Sequence, residues 1–380
     1  MKIAIIGSRG YPYVYSGYET FVSEVAPRLA KENVEVHVYC HKKLFSEKPE
    51  QVNGIYLHYI PVIQSKAFSQ WSNSFLSTCH ALTKKYDIIL YVNSANGVFG
   101  VLTKLFRQKT AINVDGLEWL RPKWKGLGAK VFYFSSKMAT RWMDRIITDA
   151  DAMREIYLEE FKSDSTVIAY GANIRYSRKT ELIQQWNLTP NDYYLIIGRL
   201  IPDNNALLIL QEFIQSKTTK KLVIVGDVPY KDAYAENIKK VKDERVLFTG
   251  YVNGSDQLAE LYHNCFAYFH GHEFGGTNPT LLKALAYGCA ILALDTKFSR
   301  EVLKNGEYGL FFTKEKGNLI NIIHQAEINE TLLSSFREKS RQRITEHYTW
   351  EKITQQYLAL FREMTLGKKQ IQLREERMPV

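Results

Sequence analysis

The sequence predicts an α/β protein built from two doubly wound parallel sheets, and three observations carry that expectation. Short apolar, β-branched runs alternate with stretches of helical period through the first half of the chain. Such runs, separated by helices, mark parallel strands covered on both faces. The pattern then pauses near residues 171–190 and restarts. A length of 380 residues exceeds one typical domain and suits two.

In chain order, the first unit is expected to place strands at Ile3–Gly7, Val34–Cys40, Ile55–Pro61, Ile88–Asn93, Thr110–Val114, Arg145–Thr148 and Thr166–Ala169. Helices are expected near 18–31, 69–84, 127–144 and 151–161. The second set of strands is Tyr194–Gly198, Leu222–Gly226, Val246–Thr249, Cys265–Phe269 and Ile291–Leu294, with helices near 205–216, 255–263, 279–287 and 330–346. A last helix, about 351–364, follows the segment His347-Tyr348-Thr349-Trp350-Glu351, and the polar tail 367–380 frays. Domain limits of 1–170 and 171–350 follow. Ligands of such sheets bind at the carboxyl ends of the strands, so the two units are expected to face each other across a central cleft.

Composition narrows the function classes. The net charge of +10 implies attraction to something anionic: nucleic acid, phospholipid headgroups or a phosphorylated substrate. No zinc-finger spacing, RNA-recognition motif or basic zipper is present, which argues against nucleic acid. The four cysteines, Cys40, Cys79, Cys265 and Cys289, are scattered without a CxxC pair. Cys40 and Cys265 sit in apolar runs, where a reduced thiol packs as a small hydrophobe. The chain opens directly on a strand, with no signal-peptide pattern, and no apolar stretch approaches the roughly 20 residues of a membrane span. A reducing cytoplasm is the expected compartment.

Several common α/β chemistries are excluded by their turns. The first turn reads Gly7-Ser8-Arg9-Gly10, not GxGxxG, and the second strand ends Cys40-His41-Lys42 where a dinucleotide site wants an acid for the ribose. There is no GxxxxGK[ST] phosphate loop and no GxSxG elbow. His270, His272 and Glu273 lie at a loop mouth without HExxH spacing or a fourth ligand, which points to a site without metal or cofactor.

The richest stretch is 270–288. An apolar run, Cys265 to Phe269, feeds the diglycine Gly275-Gly276, and a helix is expected to open with Asn278 as N-cap and Pro279 at its first position. The bare amides of such a helix end carry partial positive charge, and glycine lets a ligand touch backbone. That construction suits a phosphate, with Glu273 beside it to hold a sugar hydroxyl. An ordinary strand–turn–helix joint has the same pattern.

Together these pieces resemble a known family. The segments Gly7-Ser8-Arg9-Gly10-Tyr11-Pro12, Tyr15-Ser16-Gly17-Tyr18-Glu19-Thr20-Phe21, Asn113-Val114-Asp115-Gly116-Leu117-Glu118-Trp119 and Ile168-Ala169-Tyr170-Gly171-Ala172 fall in its order. So do Gly198-Arg199-Leu200-Ile201-Pro202-Asp203-Asn204-Asn205 and Gly275-Gly276-Thr277-Asn278-Pro279. They look like bacterial retaining glycosyltransferases of family four, in the rhamnosyltransferase-like branch, over roughly residues 3–365. The resemblance implies a GT-B fold, two Rossmann-like domains with the nucleotide-sugar in the second and the acceptor in the first. It also implies that the final helix crosses back to the first domain. The implied donor is dTDP-L-rhamnose and the implied acceptor a sugar on undecaprenyl diphosphate, in cell-surface polysaccharide synthesis.

Residue roles follow from that resemblance. Arg199 is expected to neutralise the departing diphosphate. Gly10 and Gly17 flank a loop that closes over the diphosphate, and Gly275, Gly276, Thr277 and Asn278 line the donor site. Two positions depart from the family pattern. Asn204 stands where many relatives carry a lysine, and Lys283 stands where a glutamate would bind the ribose. Lysine cannot accept that hydrogen bond, so Lys283 is expected on a phosphate or the ribose is held differently. Asp115, ending a strand, is the candidate base, with Glu273 the other catalytic carboxylate. Glu19, Glu118 and Trp119 are acceptor-site candidates with Asp115, although Glu19 equally suits the first turn of a helix.

Residues 121–145 form a basic, Trp-containing helical stretch. Lys123, Trp124, Lys125, Lys130 and Arg141 are read as contacts to the inner face of the plasma membrane, the apolar positions Leu127, Val131, Phe134, Met138 and Trp142 lying among them. A core helix with a solvated basic face has the same composition. A GT-B epimerase and a non-catalytic nucleotide-binding relative remain as alternative functions.

Overall fold

The structure, a computed structural model, describes residues 1–12, 17–63, 69–121, 126–228 and 231–366. The chain forms two compact units, Met1–Tyr170 with the residues from Trp350 on, and Gly171–Thr349.

The first unit holds an eight-stranded sheet of β1 (Lys2–Ile6), β2 (Glu35–His41), β3 (Gln51–Val52), β4 (Ile55–Ile60), β5 (Ile88–Val92), β6 (Thr110–Val114), β7 (Arg145–Thr148) and β8 (Thr166–Val167). Its spatial order is β3-β4-β2-β1-β5-β6-β7-β8. Every pairing is parallel except β3–β4, a hairpin whose turn residues Asn53 and Gly54 both take positive φ. The order reverses between β1 and β5, and the two strand ends pack closely there. Gly7 has φ +109°, and a Cβ there would lie 2.3 Å from Val92 O.

The second unit holds six parallel strands: β9 (Tyr193–Ile197), β10 (Lys221–Val225), β11 (Val246–Gly250), β12 (Ala267–His270), β13 (Ile291–Leu294) and β14 (Gly309–Phe312). Their order is β11-β10-β9-β12-β13-β14, reversing between β9 and β12. Two doubly wound parallel sheets are therefore present, as the sequence predicts. The strands β3 and β14 and the helices Gly100–Leu105, Ala233–Lys239, Lys297–Val302 and Asn318–Ile328 were not among the expected elements. All but the last are short, so they show too few turns or alternations for a period to register.

Helices carry the expected buried stripes. In Gly17–Lys31 the buried apolar residues are Phe21, Val22, Val25, Ala26 and Leu29. The final helix, Trp350–Leu366, buries Trp350, Ile353, Tyr357, Leu358 and Phe361 in the first unit. Phe21 and Tyr357 meet with ring centroids 5.1 Å apart, and Arg28 pairs with Glu351 at 3.1 Å. Tyr357 also donates to Asn113 Oδ1 on β6 at 2.9 Å, beneath the end of that strand.

Beside β2 lies a histidine cluster that the sequence did not flag. His37 Nδ1 is 2.9 Å from His58 Nε2, Tyr39 OH is 3.0 Å from His80 Nδ1, and Tyr86 OH is 3.3 Å from His58 Nε2. Burial pushes all three imidazoles down, His58 to about 4, with His37 beside it adding to the effect. In the unfolded chain these groups titrate near ~6.5, so it binds more protons than the fold below that pH. Stability is therefore complete above about pH 6.5 and falls as pH drops toward about 4. Each histidine contributes at most ~1.4 kcal/mol per pH unit to that slope. Urea midpoints at pH 7 and pH 5 check this: wild type loses stability at pH 5, and His58→Gln loses less. Equal losses would remove the cluster as the cause.

Candidate functional site

In the second unit, the loops after β9 and β12 meet at the reversal of strand order, the position where open α/β sheets bind ligands. They are stitched together by side chains. Asn204 Nδ2 donates to Arg199 O at 2.8 Å, and Asn204 Oδ1 accepts from His272 Nδ1 at 2.8 Å. Asn205 Nδ2 donates to Gly271 O at 2.8 Å, and the Glu273 N–H donates to Asp203 O at 3.1 Å. Gly271 has to be glycine here, since a Cβ would sit 2.3 Å from Asn204 O. Asn204 is thus a structural clamp on the turn that presents Arg199.

Arg199 itself is exposed, and its guanidinium has no hydrogen bond or ion pair among the described residues. A cation held on a fixed turn without a protein counter-ion is ready for an anionic ligand. The diglycine turn follows the expected plan. Gly275 takes φ +146°, Gly276 and Thr277 are buried, and Asn278 is the N-cap, its Oδ1 accepting from Thr280 N at 2.9 Å. Pro279 opens the helix Pro279–Ala286. His270, His272, Gly275, Gly276, Asn278 and Ser299 line a small cavity there. Burial holds His270 down at about 3, so it stays neutral near pH 7.

Two residues expected at the donor site have surroundings that the sequence does not show. The Glu273 Oε2 lies 2.6 Å from Lys314 Nζ and 3.4 Å from Asn205 Nδ2. Lys314 comes from the loop after β14, a strand absent from the expected elements, so nothing in the sequence flagged it. Lys283 is exposed on the helix Pro279–Ala286 and is not among the residues lining that cavity.

In the first unit, Asp115 follows β6 and is gripped by two tyrosines. Tyr18 OH donates to Oδ1, and Tyr170 OH donates to Oδ2 at 2.5 Å. Burial raises its pKa above the usual carboxylate range, and the two hydroxyls and Arg121 only partly offset this. Below it lies a small cavity lined by Asn113, Asp149, Thr148, Tyr170 and Tyr357 as well as Asp115. Asp149 follows β7 next to Asp115 because Val114 and Thr148 are in register. The sequence alone carries no signal of a role for Tyr18, Tyr170 or Asp149. Tyr18 and Tyr170 did stand inside the quoted motifs.

Three residues expected at the acceptor site have defined surroundings in the fold. The Glu19 carboxylate is buried and accepts the Arg9 N–H at 2.8 Å, so it holds the first turn in shape. Glu118 Oε1 lies 3.1 Å from Arg121 Nε, and both stand over Gly116. Trp119 packs edge-on against Tyr133, Tyr157 and Phe161, with centroids 5.7–6.2 Å apart, in an aromatic cluster. Gly10 takes φ +127°, where a Cβ would press on Cys40 at 2.8 Å. Gly17 opens the helix Gly17–Lys31, but residues 13–16 between them are outside the described residues.

Lys123, Trp124 and Lys125 also lie outside the described residues. Lys130 and Arg141 are exposed on the helix Leu127–Trp142. The apolar positions expected among them divide: Met138 is buried, whereas Leu127 is 77% and Phe134 52% exposed, with Val131 also exposed. Small residues face inward instead, because Ser135 O lies 2.1 Å from where a Cβ on Gly97 would be. Among the described residues no helix is long and apolar enough to cross a membrane, and no cluster of three or more His, Cys, Asp or Glu could hold a metal ion.

Comparison with known proteins matches the two units separately. Residues 178–343 match the family described as glycosyl transferases group 1, and residues 1–173 match a domain of unknown function (DUF1972). The chain is 30% identical over 128 residues to an N-acetylgalactosamine-N,N'-diacetylbacillosaminyl-diphospho-undecaprenol 4-alpha-N-acetylgalactosaminyltransferase of Campylobacter jejuni. That match spans 33% of this chain and about a third, 34%, of the relative. It is 24% identical to a lipopolysaccharide 1,2-N-acetylglucosaminetransferase of Salmonella typhimurium, over 89% of this chain and 91% of the relative. Among solved structures, sucrose-phosphate synthase of Thermosynechococcus elongatus has a TM-score of 0.80 at 18% identity, covering 96% of this chain and 98% of its own. The fold is GT-B.

Proposed function

We propose that this chain is a retaining, metal-independent glycosyltransferase, a reading supported by the match of its second unit to the family glycosyl transferases group 1. It moves L-rhamnose from dTDP-L-rhamnose onto a saccharide carried by a polyprenyl diphosphate, for a cell-surface polysaccharide. One observation carries the reading: Arg199 stands exposed, its guanidinium without a hydrogen bond or ion pair among the described residues, at the reversal of strand order that also holds the amide-lined Gly275–Asn278 turn. Breaking the anomeric C–O bond puts negative charge on the leaving diphosphate. A fixed guanidinium and helix-end amides receive that charge without reorganising. Lys283 adds a phosphate contact, and Glu273, oriented by Lys314, meets a donor-sugar hydroxyl. Asp115 takes the proton of the acceptor hydroxyl. The diphospho-undecaprenol in the name of the Campylobacter relative supports the lipid-linked acceptor. Rhamnose rests on the motif resemblance alone. Both curated relatives are named for N-acetylhexosamines, which favours a second donor reading, an N-acetylhexosamine on another nucleotide.

The test is incubation with dTDP-rhamnose and a lipid-diphosphate-linked saccharide, following dTDP release. Transfer from a UDP- or GDP-sugar instead keeps the class and replaces the donor. Turnover without acceptor indicates an epimerase, and binding without turnover a non-catalytic relative.

A peripheral station on the inner face of the plasma membrane belongs to the same proposal. The helix Leu127–Trp142 sets Leu127, Val131 and Phe134 outward beside Lys130, Lys137 and Arg141. Apolar side chains flanked by cations suit an anionic leaflet, each cation contributing ~1 kcal/mol at low salt. Sedimentation with vesicles containing phosphatidylglycerol is expected to fall about tenfold in a Lys130→Glu, Arg141→Glu double variant. Unchanged binding would discard this face.

A further inference from the structure

β12 delivers one polar side chain to the ligand-binding edge of the second sheet and gives it no hydrogen bond. His270, the last residue of β12, is 4% exposed, and its ring nitrogens have no hydrogen-bond partner among the described residues. The rings of Tyr268 and His272 flank it, with centroids 6.2 and 6.1 Å away. Native folds leave few buried polar groups unpaired, because each has lost its water. The His270 ring forms part of the wall of the cavity at the Gly275-Gly276 turn, whose free volume of about 10 Å³ holds one water-sized group. Ser299 brings a second unused donor to the same cavity. Its Oγ accepts from Thr296 Oγ1 at 3.1 Å, while its own O–H meets no acceptor among the described residues.

We infer that His270 and Ser299 form the subsite for one hydroxyl group of the donor sugar, an inference that rests on the donor role proposed for the second unit. The chemistry of the cavity selects a neutral oxygen. Burial alone sets the state of the ring, with no charged group acting on it, so it is neutral at pH 7. A neutral imidazole offers one donor and one acceptor, and a hydroxyl uses both. A phosphate oxygen only accepts, and enclosing its charge in this cavity without a cation is costly. Leu281 and Phe298 supply carbon to the same wall, which suits the C–H surface of a sugar ring. The Thr280 N–H of the adjoining helix end is already taken by Asn278 Oδ1 at 2.9 Å. His270 thus bears on the choice of sugar, and Arg199 on the diphosphate common to all such donors.

Titration calorimetry on wild type, His270→Phe and Ser299→Ala tests the subsite, with dTDP against dTDP-L-rhamnose and UDP against UDP-N-acetylglucosamine as probes. His270→Phe removes the unpaired nitrogens while nearly keeping the volume, so the thermal midpoint should hold or rise. For the nucleotide-sugar that the wild type binds, Kd should rise about 3–10-fold in each variant, the Kd of its bare nucleotide staying within about twofold. His270→Asn, which restores a neutral donor and acceptor, should recover part of the loss. Equal weakening of nucleotide and nucleotide-sugar would overturn the subsite and put a phosphate oxygen in the cavity. Unchanged binding of both would overturn it in favour of a structural water. A wild type that binds neither nucleotide-sugar overturns it as well. Selective weakening of the nucleotide-sugar, in a chain that transfers no sugar, keeps the subsite and discards the transferase reading.

Discussion

Arg199→Ala is expected to lower the transfer rate about 10²–10³-fold, the usual effect of removing one preorganised donor to a developing charge. The guanidinium is exposed and makes no hydrogen bond or ion pair with a described side chain, so the fold should keep its stability within about 0.5 kcal/mol. That separation makes the result informative: activity collapses while the melting curve stays put. Arg199→Lys should recover part of the rate, because it restores a point charge without the planar fork. Asn204 gives an independent handle. It ties Arg199 O to His272, so Asn204→Ala should loosen the turn and act in the same direction, more weakly. Loss of less than about fivefold in Arg199→Ala would place the leaving group elsewhere.

Asp115→Asn carries the second large effect, an expected fall of about 10²–10⁴-fold in kcat if this carboxylate takes the acceptor proton. The pH dependence gives the sign. Burial raises the folded pKa of Asp115, so the base is lost as pH falls through that raised value, and the acid limb of the wild-type rate belongs to it. The variant should lose that limb. Stability moves the other way. An acid whose folded pKa lies above its unfolded value destabilises the fold at neutral pH, and the penalty vanishes as pH falls below the unfolded value. Asn keeps one oxygen for one tyrosine hydroxyl and offers an N–H to the other, which can accept it, without the buried charge, so the variant should melt no lower than wild type at pH 7. An unchanged kcat would assign the proton to the leaving phosphate and leave Asp115 as a tethered turn residue.

Particular elements show how far the chain was readable. β1, β2, β5, β6 and β9 were located within two residues, since each is a short run rich in β-branched or aromatic residues ended by Gly, Asn or Asp or by a charged turn. The final helix was also found, from its buried stripe. β14 escaped because Gly309-Leu-Phe-Phe is four residues long, too short to show an alternation. Losing β14 meant losing Lys314, and so the state of Glu273. The basic helix was found at its place but its apolar residues were not, because which face turns inward was set by Gly97 meeting Ser135.

By itself the sequence determined the two wound sheets, the Asn278 cap with Pro279 behind it, and Arg199 on the turn after β9. These follow from local rules, the period of apolar residues and the backbone demands of glycine, proline and helix ends. The tertiary structure alone decided which carboxylates are free to do chemistry. Glu19 is tied to Arg9, Glu273 to Lys314 and Asp115 to Tyr18 and Tyr170, across separations of 10, 41, 97 and 55 residues. Periodicity reports which face of an element is buried. It carries no record of the side chain that folding delivers from a distant strand end to meet a given oxygen.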